Sequence, residues 1–178
     1  YFVFTCAYST YLKRKLLVYV VTLAGLYTMR IAAGSAATGI AFSPWLLVFS
    51  MFLFCSLAII KRQAELIDQF GVQKVIPGRA YVAADLPVLR AMAVASGQAA
   101  VLVLALFVNS LAASQLYAAP EVLWIACVVL FYWLSRMEVL TERGFMHDDP
   151  IVFAARDRIS LAAAALVLVI AALAVKGW

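Results

Sequence analysis

Along the chain, uncharged stretches fill residues 16–29, 31–60, 91–120, 122–135 and 159–175. An α-helix needs about 20 mostly apolar residues to cross about 30 Å of hydrocarbon, and this pattern meets that length repeatedly. Strands at such depth would leave unpaired backbone edges in lipid, so helices are the solution the pattern allows. We predict an all-α, polytopic transmembrane helix bundle with about five full spans, at 16–39, 44–60, 86–113, 122–140 and 159–175, preceded by a partial helix ending near Ser9. Ser43-Pro44 predicts a capped helix start with proline at its first position. Asp85 is expected to cap the next long span in the same way.

Composition agrees with the pattern. Hydrophobic residues make up 67% of 178 positions and mean hydropathy is +1.01, against about 45–50% apolar in soluble domains. Cys6, Cys55 and Cys127 sit in apolar runs without CxxC spacing or a nearby histidine, so neither a disulfide framework nor a zinc site is expected. The net charge of +5 could point to nucleic acid, but no basic groove with interleaved aromatics accompanies it, and no nucleic-acid partner is expected. Residues 1–9 would extend only about 14 Å as a helix. With no initiator methionine or signal-peptide pattern before them, we expect upstream membrane helices.

The cations are distributed unevenly. One side of the predicted topology collects Lys13, Arg14, Lys15, Lys61, Arg62, Lys74, Arg79, Arg90, Arg136, Arg143, Arg156 and Arg158, and the other only Lys176. By the positive-inside rule the charged loops face the cytoplasm, and the connections 40–43 and 114–121 face outward. The charged side also holds Glu65, Asp68, Asp85, Glu138, Glu142, Asp148, Asp149 and Asp157, which that rule does not require. Two explanations fit: ordinary solvated loop charge, or a site where Arg and Lys hold an anionic substrate directly and carboxylates hold it through Mg²⁺.

Three loops carry this charge. In "YSTYLKRK", Tyr8 and Lys13 can donate to phosphate, or the loop can serve as an interfacial anchor. "KRQAELIDQFG" continues its helix below the membrane until Gly71, placing Lys61, Glu65 and Asp68 on one face. Carboxylates one turn apart can share a hard cation while Lys61 or Arg62 holds a phosphate oxygen; an ion-paired helix end is the alternative. Pro77-Gly78 predicts a turn presenting Arg79 and Tyr81. In "MHDDPIVFAARDR", Gly144 ends the preceding helix, Asp148-Asp149-Pro150 caps a new one, and helical spacing runs from Asp149 through Phe153 to Asp157. His147 has no partner histidine and reads as polar surface. Arg30, deep in a span, is expected to face the bundle interior or a wet cavity, or else to snorkel outward. Gly25, Gly34, Ser35 and Gly39 permit close helix packing, and Ser96, Gln98 and Asn109 are expected to hydrogen-bond between helices.

Taken in order, "YSTYLKRK", "GLYTMRIAAGSAATG", "KRQAEL" and "MHDDPIVFAARDR" resemble the UbiA superfamily of intramembrane prenyltransferases. The resemblance covers essentially all of 1–178 as one transmembrane domain, corresponding to the latter two-thirds of a nine-helix protein. It implies a bacterial cell-membrane transferase using Mg²⁺ and acidic motifs in cytoplasmic loops. Tyr8 and Lys13 match the family's phosphate-binding pair, with one extra residue of spacing. "KRQAELID" replaces the usual DxxxD motif, leaving Glu65 and Asp68 as the implied catalytic, metal-side acids. Lys61, Arg62 and Arg79 are then phosphate-binding, and Asp148, Asp149, Asp157 and Arg158 form a surrounding shell or lid.

"KRxAEL" looks more like the branch containing decaprenyl-phosphate phosphoribosyltransferase, and like prenyltransferase domains fused to a phosphatase-like domain. The implied substrates are a polyprenyl phosphate or diphosphate drawn from the membrane lipid, and phosphoribosyl diphosphate. A 4-hydroxybenzoate-type transferase acting on an aromatic acceptor is the neighbouring alternative. The family's first aspartate motif is absent from these residues, so the chain by itself is expected to be inactive. A transporter or scaffold piece is the reading from another class. The DG…AR…G…D…D signature of CDP-alcohol phosphotransferases is missing.

Overall fold

A computed structural model describes residues 18–39, 43–69, 82–146 and 149–177. These form a polytopic membrane-helix bundle: α1 (Val18–Thr38), α2 (Pro44–Gln69), α3 (Leu86–Val108), the short α4 (Leu111–Leu116), α5 (Leu123–Glu142), the short α6 (Pro150–Arg156) and α7 (Arg158–Lys176). Single 3₁₀ turns at Ala83–Asp85 and Pro120–Val122 precede α3 and α5. Five helices are long and apolar enough to cross a membrane. Large apolar side chains such as Val21, Val88, Leu102, Val128 and Leu168 point away from the bundle, as a lipid-facing surface requires.

Helix α2 is central, packing most extensively on α3 and also on α1 and α5, while α5 lies between α3 and α7. Two apolar cores divide the bundle by depth. Leu57, Ile59, Ile60, Leu66, Leu89, Met137 and Met146 close the end that carries the charged loops. Val108, Val122, Leu123, Cys127, Ile170 and Ala174 close the other. Lateral hydrogen bonds in low dielectric add register. Ser56 donates to Ala93 O at 2.9 Å and Gln63 to Leu89 O at 3.3 Å, both from α2 to α3, and Trp133 Nε1 on α5 donates to Ser160 Oγ on α7 at 3.0 Å.

The helix ends follow local chemistry. Ser43 caps α2, its Oγ accepting from Leu46 N at 3.4 Å. At the end of α5, Gly144 takes φ +71°, with Phe145 N bonded to Leu140 O and Gly144 N to Thr141 O, both at 3.0 Å. This is a Schellman closure, which favours glycine because the left-handed region crowds a Cβ.

Two expectations are corrected and a third is refined. The span expected to run to 113 stops at Val108, because Ser110 is extended, donates to Phe107 O and accepts from Ala113 N, starting α4 anew. Asp85 makes no cap to α3; its carboxylate accepts from Val82 N at 2.9 Å and tightens the preceding turn. The helical spacing read from Asp149 through Phe153 to Asp157 holds, with Phe153 N bonded to Asp149 O at 2.8 Å and Asp157 N to Phe153 O at 2.9 Å, and the ψ of 120° at Asp157 then separates α6 from α7.

Packing also differs in detail. No described residue approaches Gly25 or Gly34, whereas a Cβ on Gly97 would lie 3.1 Å from Ser56 Oγ. Ser96 Oγ reaches Cys55 Sγ on α2 at 3.8 Å, but Asn109 bonds within its own helix, to Ala105 O. Arg30 is exposed rather than interior, its guanidinium 5.2 Å from the Tyr27 ring centre. Cys55 and Cys127 are free thiols, and Cys6 lies outside the described residues.

Candidate functional site

The last turns of α2, the start of α3, the end of α5 and the α6–α7 junction meet at one end of the bundle, joined by ion pairs. Lys61 Nζ lies 2.6 Å from Asp149 Oδ2, linking positions 88 residues apart. Arg62 pairs with Glu65, Arg90 with Glu142, and Arg136 Nη1 with Asp157 Oδ2 at 2.7 Å. Lys176 is at the opposite end, where Ala119 N bonds Ala174 O at 3.0 Å. The tertiary arrangement therefore gathers the described charged loops on one face.

Asp149 has two tasks: besides Lys61, it caps α6 by accepting from Ile151 N at 3.0 Å. The Lys61–Asp149 pair stands over a narrow groove between α1, α2 and α6, lined by Leu23, Tyr27, Phe54 and Leu57. Tyr27 and Phe54 stack along it, ring centres 4.9 Å apart. The result is a charged rim over a narrow apolar, aromatic wall.

Glu65 and Asp68 occupy the final turns of α2, one turn apart, with Asp68 exposed. Arg62, expected at a phosphate, is only 3% exposed and holds the Glu65 carboxylate, because α2 packs that side of its last turns into the bundle. Lys61 is 34% exposed on its side chain, leaving ammonium donors available beyond Asp149.

Asp157, expected in the shell with Asp149, belongs to a different corner. Its carboxylate binds Arg136 bidentately at 2.7 and 3.1 Å, and accepts from Ser160 N at 2.8 Å and Ser160 Oγ at 2.7 Å, capping α7. Burial pushes its carboxyl up, but the Arg136 guanidinium and the two Ser160 donors outweigh this and hold it below the usual carboxylate range. Arg158 is exposed at the start of α7. Among the described residues no group of three or more His, Cys, Asp or Glu side chains converges as a metal cage. Tyr8, Lys13, Arg79, His147 and Asp148 lie outside the described residues.

The sequence reading counted Arg136 among the topology charges and Glu138 among the acids of the charged side, assigned neither a specific role, and did not single out Tyr27 or Phe54. Glu138 is the one with a usable signal: an acid in the last turn of the predicted span 122–140, where an ionisable residue in a membrane helix points to function.

The chain is 38% identical over 169 residues to an uncharacterized protein, y4nM, of Sinorhizobium fredii, a match covering 94% of this chain and 33% of that protein. It is 39% identical over 141 residues to the nodulation protein NoeC of Azorhizobium caulinodans, covering 78% of this chain and 46% of that protein. The chain thus spans between about a third and a half of the length of these relatives. No family profile matches it, and no solved structure does.

Proposed function

We propose that this membrane bundle is the larger part of a UbiA-type prenyltransferase domain, and that its charged end handles the phosphate groups of a polyprenyl substrate. The observation that carries the proposal is the Lys61–Asp149 pair, which sets the last turns of α2 and the start of α6 over the groove walled by Tyr27 and Phe54. The bundle would sit in a bacterial cell membrane, with this charged end on the cytoplasmic side by the positive-inside rule.

Glu65 and Asp68 suit Mg²⁺: hard oxygens one turn apart, and one or two carboxylates suffice where phosphate oxygens complete the shell. When bound, the ion would supply Lewis-acid neutralisation of a departing diphosphate. Lys61 can keep Asp149 with one ammonium proton and donate another to a phosphate oxygen. Arg62 positions Glu65. The Tyr27–Phe54 wall would lie against the first part of the lipid chain and help exclude water from the bond being broken. By the "KRQAEL" departure we favour transfer between polyprenyl phosphate and phosphoribosyl diphosphate over alkylation of an aromatic acceptor.

The test is an assay of membranes containing the protein with its native flanking sequence, supplied with polyprenyl phosphate and labelled phosphoribosyl diphosphate, with and without Mg²⁺. Glu65→Gln should lower Mg²⁺-dependent turnover at least ~10-fold. Wild-type rates in that variant would remove Glu65 from the site, and product only with an aromatic acid would select the other branch. A transporter or scaffold reading is favoured by the closed ion pairs at this end. It requires no prenyl transfer with either acceptor.

A further inference from the structure

A second cavity, of about 240 Å³, lies between α2, α3 and α5, apart from the Lys61 groove. Ser56, Gly97, Gln98, Ser135 and Glu138 line it together with apolar side chains. Both Glu138 carboxylate oxygens are shut off from the surface and accept no hydrogen bond from any described residue. Three groups are near enough to act on this carboxylate: Gln63 on α2, Arg90 on α3 and Glu142 on α5. Gln63 gives one of its two Nε2 protons to Leu89 O and can turn only a neutral amide hydrogen toward Glu138, while Arg90, though close enough to attract it, is paired with Glu142. Glu138 therefore retains an uncompensated charge or must be neutralised, because an isolated ionised carboxylate is prohibitively costly in low dielectric.

The other cavity groups indicate what would neutralise it. Ser56 spends its proton on Ala93 O, so it can offer only lone pairs to the cavity. Gln98 and Ser135 add further oxygens. Gly97 leaves the space open, since a Cβ there would press on Ser56 Oγ at 3.1 Å. The donor set is thus all hard oxygen with a single negative charge. A divalent ion would leave a net positive charge buried, and Mg²⁺ sheds its water reluctantly. We propose that this cavity is a binding site for a small, hard monovalent cation of the Na⁺ type, held by Glu138 and the oxygens of Ser56, Gln98 and Ser135. The Arg90–Glu142 pair, one turn nearer the charged end, flanks its approach.

The experiment is thermal unfolding of the intact, detergent-purified protein in NaCl against N-methylglucamine chloride at constant ionic strength. Sodium at a hundredfold excess over its Kd should raise Tm by about 5–10 °C. Glu138→Gln should abolish the rise while unfolding at least as high as the sodium-free wild type, since the neutral amide removes the buried charge. Ser135→Ala should move the sodium midpoint upward. Carbodiimide labelling of Glu138, which requires the protonated carboxyl, should be slowed by sodium and not by N-methylglucamine. A flat wild-type series with unprotected labelling would mean that a proton alone satisfies Glu138, and the proposal would be wrong. It would also fail if N-methylglucamine produced the same rise, or if Glu138→Gln kept it.

Discussion

Removing Asp157 should loosen the α5–α7 contact without touching the Lys61 groove. In Asp157→Ala, α7 loses its cap from Ser160 N, worth about 1 kcal/mol. The variant also strips Arg136 of a bidentate partner. Both side chains of that pair are 17% exposed, so the loss falls between the ~0–1 kcal/mol of surface pairs and the ~3–5 kcal/mol of buried ones. After discounting for solvent screening, about 1–2 kcal/mol is reasonable, for a total of about 2–3 kcal/mol. At about 2–4 °C per kcal/mol for a chain of this size, Tm should fall by about 4–12 °C. Asp157→Asn keeps a competent cap and should show only the ion-pair share.

The effect of pH on this network has a definite sign. The native carboxyl titrates below its ordinary value, so its contribution is complete above the unfolded-state pKa and disappears as pH falls through the native one. The gap between wild type and Asp157→Asn should hold at pH 7 and narrow below about pH 4. Thermal unfolding in detergent followed by circular dichroism measures both. An Asp157→Ala protein within about 2 °C of wild type at pH 7 would show that the network is cosmetic and that α7 is held by apolar packing alone.

Two further outcomes are expected. Single cysteines placed at Gly144 and at Ala118, in a background lacking the native thiols, should react with an impermeant maleimide from opposite faces of sealed vesicles, and labelling from one face would refute the antiparallel arrangement. Asp149→Ala should lower Tm by a few degrees through the lost α6 cap, and Asp149→Asn by less because asparagine also caps; equal losses would assign the stability to the Lys61 pair instead.

Much of the fold was legible because a bilayer leaves few options. Runs such as 91–108 admit only a helix that satisfies its own backbone, and Ser43-Pro44 and Gly144 announce their ends by local chemistry. The break at Ser110 was hidden because apolar residues continue through it, and only the geometry of Phe107 and Ala113 around the serine exposes it. Likewise, the spacing of Asp149, Phe153 and Asp157 gives the short helix but not the break at Asp157, which closes α6 and caps α7.

The candidate site divides in the same way. Which residues carry charge, and that they share one end, follows from the linear order, since each connection must return to one membrane face. Which acid meets which base does not, because ion pairing is decided by helix rotation and by contacts across many tens of residues. Glu65 turned to Arg62 instead of standing free, Asp149 met Lys61, and Asp157 left that corner for Arg136. Glu138 is the clearest case. Its sequence position shows an acid at the edge of a span, while only the packing of α2, α3 and α5 shuts its carboxylate oxygens off from the surface and opens a cavity beside it.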